Sequence, residues 1–285
     1  MGAGSDGGPG LSLWRVQSVF RLAFCAVLWT SCAAPIARAD DEPPPNHWPA
    51  PFGGRFHAAF TVASDYAQSG ISSTQLGPAF QASLDYRSPN LLPKGEPPLW
   101  IYSYIFGSNV SFPNAGSGTE VDLAGGLKMR LMKGKLSLSL GYTRHLFPDI
   151  AASFGLEYGE VEAKADYDFG FVTVSGRLRY SPNGLGGIGQ SWDKRALVSA
   201  PLPFLRLPFG ASMKLYGSLG DFWGEKPEVV GLPAHDYLYW QVGLVTSVWG
   251  LDVTVAYTDT DIAPVGCGNT RLCEGRAFFS VTKVF

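Results

Sequence analysis

From about residue 55 onward the chain repeats its hydrophobic character every second residue, over stretches longer than an ordinary soluble strand. Residues 136–142 read Leu-Ser-Leu-Ser-Leu-Gly-Tyr, with Leu136, Leu138, Leu140 and Tyr142 on one face and small polar groups on the other. Val121, Leu123, Leu127, Met129 and Leu131 oppose Asp122, Lys128 and Arg130 in the same way. Val172, Val174, Leu178 and Tyr180 oppose Thr173, Ser175, Arg177 and Arg179, and Leu251, Val253, Val255 and Tyr257 oppose Asp252, Thr254 and Thr258. A period of two belongs to a strand with two different faces. These segments run about 9–13 residues where soluble strands average about five or six, and Trp or Tyr caps the apolar face. No helical period competes.

Strands are predicted at 56–66, 77–87, 99–109, 119–132, 135–146, 158–167, 170–181, 190–200, 208–220, 236–248, 251–259 and 275–285. The connections alternate in length. Lys133-Gly134, Asp168-Phe169 and Trp249-Gly250 are tight, whereas 110–118, 147–157, 181–189, 221–235 and 260–274 are long. Short periplasmic turns alternating with longer outer loops define an up-and-down transmembrane barrel. A sheet enters lipid only when closed, because an unpaired backbone N–H or C=O costs several kcal/mol there. The fold expected is all-β, a transmembrane antiparallel barrel of about twelve strands. Two connections, 88–98 and 201–207, are long for periplasmic turns, so ten or fourteen strands remain open.

The front of the chain fits this location. Arg15 and Arg21 precede an apolar run from Leu22 to Trp29, and Ala37-Arg38-Ala39 closes the segment before Asp40, the pattern of a cleaved signal peptide over 1–39. The run is about half the roughly 20 residues of a spanning helix. Cys32 raises a lipoprotein site, against which Trp29 argues. Residues 40–54 hold five prolines and read as an extended periplasmic lead-in that does not pair in a sheet, leaving 55–285 as the barrel. At the other end Ala277, Phe279 and Val281 alternate before the terminal Phe285, with Lys283 in a lipid-facing position from which its amine reaches the headgroups. Phe279, Val281 and Phe285 are similar to the terminal signal by which outer-membrane barrels are recognised for assembly. The outer membrane of a Gram-negative bacterium is the location these features imply.

Composition excludes one class of partner. Charged residues are 16% of the chain, against about a quarter in soluble proteins, and the formal net charge is −2. Without a basic surface there is no counterion release, so nucleic acid is not a partner. Cys267 and Cys273 form a close pair in a loop, which in an oxidising compartment reads as a disulfide in preference to a metal site. His47, His57, His145 and His235 are scattered, and no metal site or cofactor is expected.

Asp65-Tyr66 followed by Gly70-Ile71-Ser72, Gly107-Ser108-Asn109-Val110 after an aromatic strand, Glu120 opening the next, and Val281-Thr282-Lys283-Val284-Phe285 resemble a proteobacterial family known as Gcw_chp. The resemblance spans essentially all of the chain after residue 39. It implies an outer-membrane barrel and leaves the activity open. Members commonly carry Arg just before the first-loop glycine, where this chain has Ser69.

Three readings of function follow from the inward face. Asp85, Asp122, Lys128, Arg130, Glu162, Lys164, Asp166, Arg177, Arg179, Asp193, Arg195, Lys214 and Asp252 all fall on the lumen side of the predicted strands, with acids and bases in near-equal number. Such a mixture makes cross-strand ion-pair ladders that fill the interior, or a narrow polar pore whose acidic and basic walls orient a small solute. The expected function is a narrow channel or passive transport protein. Its partners are outer-membrane lipid and lipopolysaccharide, the barrel-assembly machinery and a small solute. The alternative is a structural or binding barrel acting through its outer loops. An outer-membrane lipid-modifying enzyme is less favoured, because inward His145 and His57 lack an adjoining serine signature. Gly184–Gly189 matches G-x-G-x-x-G but lies in a loop with no following helix, and carries no dinucleotide site. Tyr158, Tyr167, Tyr180, Trp192, Trp240, Trp249 and Tyr257 are predicted to face outward as interfacial girdles. Residues 99–106 are apolar on both faces; inward aromatics there would suggest stacking of a sugar or aromatic solute. Asp259 and Asp261 read as solvated loop carboxylates.

Overall fold

The computed structural model describes residues 48–49, 51–205 and 207–285. The signal segment 1–39, with Cys25 and Cys32, and most of the lead-in lie outside the described residues. Twelve antiparallel strands form one closed barrel. They are β1 (Arg55–Ala63), β2 (Ala79–Arg87), β3 (Leu99–Phe112), β4 (Gly116–Leu131), β5 (Leu136–Leu146), β6 (Tyr158–Asp168), β7 (Thr173–Ser181), β8 (Ser191–Pro201), β9 (Ser212–Gly224), β10 (Asp236–Val248), β11 (Leu251–Thr260) and β12 (Arg276–Val284). Each pairs with its sequence neighbours, and β12 closes on β1 from Ser280 opposite Ala63 to Val284 opposite Ala59. Thr61 and Thr282 hydrogen bond across that seam at 2.8 Å, and the Phe285 N–H donates to the Ala58 carbonyl at 2.9 Å. Among the described residues no helix is long and apolar enough to cross a membrane.

The two doubtful connections, 88–98 and 201–207, each join neighbouring antiparallel strands, which fixes the count at twelve. Trp249-Gly250 shows why the tight turns are tight: both residues have positive φ, 53° and 71°, the twist a two-residue hairpin needs. Elsewhere the strands run further than expected. The loop foreseen at 110–118 is mostly strand, because Asn109, Val110 and Ser111 keep pairing with Thr119, Gly118 and Ser117. Ser111 and Ser117 add a side-chain hydrogen bond at 2.9 Å. Trp48–Pro49 pairs with Arg55–Phe56, although its proline content argued against any sheet pairing in the lead-in. At the end of a strand a proline needs to donate nothing.

The burial pattern is that of a barrel in lipid. Phe60, Phe80, Ile105, Leu127, Leu140, Val161, Val242, Val255 and Phe279 face outward and are exposed, while Thr61, Gln81, Ser108, Ser218, Thr258, Ser280 and Thr282 face inward and are buried. Tyr180 and Trp192 pack at 4.5 Å at one end of the barrel, and Phe209 and Trp249 at 5.3 Å at the other. Tyr158 departs from the expected girdle. It shares the parity of Glu160 and Glu162, so it points into the lumen, where it is buried and stacks on His145.

Two apolar clusters fill part of the outer mouth. Ala63, Tyr66, Ala79, Phe106, Val110, Phe147, Ile150 and Tyr158 form one. Tyr237, Tyr239, Ile262 and Cys273 form the other, with Ile71 and Cys267 packed against it. Tyr66 and Ile71 belong to the first outer loop, residues 64–78, which therefore wedges between the two.

Candidate functional site

The loop 64–78 does not stand above the barrel. It turns inward as a two-stranded ribbon, Ala67–Gln68 against Ile71–Ser72, and its polar side chains land on three separate strands. Gln68 Nε2 donates to Glu120 on β4 at 2.7 Å, Ser69 Oγ donates to Asp193 on β8 at 2.6 Å, and Asp65 accepts from Arg276 Nε on β12 at 2.6 Å. Ser72 and Thr74 also donate to Asp65. Gly70 has φ +84°, and a Cβ there would meet Tyr239 and Thr260, so only glycine lets the ribbon sit this deep. Asn109 holds the far end of the loop, donating to the Pro78 carbonyl and accepting from the Phe80 N–H. Asp65, Gly70, Ser72, Asn109 and Glu120, part of the pattern that carries the family resemblance, are thus residues that hold the loop in the mouth.

Below the loop lies a wall of charge. Every predicted lumen residue falls on the inward register. Asp122, Glu162, Arg177, Arg179, Asp193 and Arg195 are brought together in the outer half. Arg179 Nη1 pairs with Glu160 at 2.8 Å and its Nε lies 3.7 Å from Glu162. Arg177 Nη2 pairs with Asp193 at 3.1 Å, and its Nη1 lies 3.9 Å from Glu162. Asp193 also accepts from the Tyr239 hydroxyl, 2.9 Å from each oxygen, because Tyr239 lies flat over Gly220 and reaches across β9. Arg195 stacks over that same ring at 5.4 Å and donates to Ser218. These ion pairs join neighbouring strands. Acids and bases therefore interleave along one wall instead of facing each other as an acidic and a basic wall.

The remaining charges lie toward the opposite end of the barrel. Lys164 pairs with Asp166 at 3.2 Å, Asp252 accepts from Ser247, and Asp85 lies opposite His57 in the register. Lys128 and Arg130 on β4 lie in line with Lys164 and Asp166 on β6, through Ser139 and Ser137 of β5, and Lys214 lies on β9. The neighbours of β3 settle the segment whose register was open: Tyr104 lies opposite Asp85 and Trp100 opposite Lys128, so Trp100, Tyr102, Tyr104 and Phe106 face inward. Arg87 stacks on Trp100 at 5.0 Å.

Sequence reasoning missed Glu160, and used Glu120 only as part of a motif. Both were accessible, since they share the parity of the chosen Glu162 and Asp122. With them, His145 becomes the centre of an acidic cluster. Its Nδ1 is 2.7 Å from Asp122 and 3.5 Å from Glu120, and its Nε2 is 3.4 Å from Glu160. Cys267 and Cys273 are disulfide-bonded in the outer loop 261–275. Phe279, Val281 and Phe285 present their side chains outward.

A closed twelve-stranded barrel with an apolar exterior and a charged lumen resembles the outer-membrane proteins of Gram-negative bacteria. Within that class the chain belongs to Gcw_chp, described as a bacterial protein of unknown function, whose family model matches residues 50–285. No curated protein matches it in sequence. Among solved structures it is similar to the COG4313 outer membrane channel from Pseudomonas putida F1, at 13% identity and TM-score 0.46, over 85% of this chain and 99% of that one. It is also similar to the NanC porin, at 10% identity and TM-score 0.44 over 80% and 98% of the two chains. LpxR from Salmonella typhimurium stands at 12% identity and TM-score 0.43, over 80% and 99%. Likenesses this distant carry no argument about activity.

Proposed function

We propose that the protein is a narrow channel or passive transport protein of the outer membrane, taking a small polar solute through the lumen without catalysis. The observation that carries this reading is the inward loop pinned to β4, β8 and β12, which sets a constriction directly above a wall of paired charges. Eight-stranded barrels are filled by side chains and barrels of about 16–18 strands leave wide aqueous pores; twelve strands with a loop folded inside fall between. Trp100, Tyr102 and Tyr104 add inward rings on which a sugar or aromatic solute stacks. Against an enzyme, both ring nitrogens of His145 face carboxylates, and among the described residues no serine is one of its partners. In this reading residues 1–39 direct export, the segment ending in Phe279, Val281 and Phe285 addresses the assembly machinery, and the girdles contact lipid and lipopolysaccharide.

The test is solute entry into liposomes carrying the folded protein. Small sugars and amino acids entering faster than into empty liposomes, with a sharp size cut-off, support the channel. Uptake equal to that of empty liposomes sinks it and leaves a barrel acting through its outer loops.

A further inference from the structure

The acidic cluster around His145 is not needed to build a barrel, and its geometry is unlike that of the neighbouring ion-pair ladder. In the ladder each carboxylate meets a guanidinium. Here Glu120 and Asp122, two residues apart on one face of β4, converge on an imidazole from β5 that the register places opposite Asp122. One ligand atom from each of Glu120, Asp122 and His145 lies within 4.8 Å of the other two. All three residues are buried, Glu120 completely so.

Two details separate this cluster from a satisfied structural triad. Glu120 Oε1 accepts from Gln68, but its Oε2 has no hydrogen-bond partner although no solvent reaches it. A fully buried carboxylate oxygen left unsatisfied calls for an ion or a water to explain it. The charge count points the same way. Arg179 is engaged by Glu160 and Glu162, and among the described residues the basic group within ion-pair distance of the two β4 carboxylates is His145. With the imidazole neutral, as a metal ligand must be, the two carboxylates supply two negative charges for a divalent ion to balance.

We propose that Glu120, Asp122 and His145 bind one divalent first-row transition-metal ion in the lumen wall. An imidazole nitrogen with carboxylate oxygens suits Zn2+ or Mn2+ better than Ca2+ or Mg2+, which take oxygen ligands. His145 is already oriented for this. Its ring stacks on Tyr158 with centroids 4.2 Å apart and planes 12° from parallel, and Glu160 stands behind Nε2, as carboxylates commonly do behind metal-bound histidines. Gln68, reaching Glu120 from the inward loop, makes the ion a tie between that loop and the wall. The site is independent of what the lumen conducts.

The experiment uses the full folded barrel in detergent, stripped with chelator, then equilibrated with Zn2+ or Mn2+ and freed of excess metal. Elemental analysis is expected to find one ion per barrel. Asp122→Asn and Glu120→Gln should each weaken binding at least tenfold, while Asp252→Asn, a luminal acid elsewhere, should leave it unchanged. Heat-dependent gel migration verifies that each variant is folded. Should a variant not fold, Co2+ bound to the wild type decides, with visible d–d bands expected from an ion bound through nitrogen and oxygen. Less than stoichiometric uptake by the wild type, uptake equal in wild type and Asp122→Asn, or no Co2+ bands would each overturn the proposal.

Discussion

The two sides of the lumen are built on different chemistry. From β4 to β8 the inward positions carry paired charge: Asp122, Glu160, Glu162, Arg177, Arg179, Asp193 and Arg195, most of them buried. From β11 round to β2 the middle of the wall carries Thr258, Ser280, Thr282, Thr61 and Gln81, buried as well but neutral, and charges stand only toward its ends, at Asp252, Asp85 and Arg276. Both sides are polar, and both satisfy the rule that a barrel interior alternates with its lipid face. The difference lies in how tightly each residue depends on its neighbour. A hydroxyl that loses its partner leaves one unmet hydrogen bond; a buried charge that loses its partner leaves an uncompensated ion. The charged wall is therefore the brittle one, and it is the wall on which Ser69 and Gln68 of the inward loop land.

That contrast has measurable consequences. The largest is expected from Arg179→Met, which removes the guanidinium from Glu160, leaves Glu162 with Arg177 alone and should cost about 3–5 kcal/mol. Thr61→Val on the neutral seam should cost only about 1 kcal/mol. Denaturant unfolding of the barrel in detergent reads both, and equal losses would break the distinction. Next comes Tyr239→Phe, which takes one donor from both Asp193 oxygens while keeping the ring over Gly220; a loss of about 2 kcal/mol is expected in the same assay. Ser69→Arg sharpens the comparison differently. It sets a cation beside Asp193 at the constriction, so conductance should fall and the reversal potential in a salt gradient should shift toward anions, with little change in unfolding. Reducing Cys267–Cys273 should have the smallest effect. The bond spans six residues of one outer loop, so proteolysis within 261–275 should quicken while barrel unfolding stays the same.

Most of the barrel was legible because its signal is periodic. The strand at 236–248 coincides with β10, and parity alone put Asp193, Arg195 and the other candidate charges on the lumen side. Where both faces are apolar, as in 99–106, parity carries no sign; only the partners Asp85 and Lys128 on adjacent strands decide it. Tyr158 was misplaced for a related reason. An aromatic at a strand end suggests a girdle, yet its parity with Glu160 turns it inward onto His145. The inward loop was invisible in a stronger sense. Loops have no period, and what holds this one is contact with β4, β8 and β12, far away in sequence. The pairing of acids and bases along one wall likewise depends on register, which composition does not contain.

Single-channel recording in planar bilayers bears most directly on the claim that this lumen conducts and that its charged wall governs passage. Folded wild-type protein should give discrete events of small conductance, and Asp193→Asn should change their ion selectivity while Thr282→Val does not. Protein that is folded by gel mobility, inserts into the bilayer and gives no events would contradict the account.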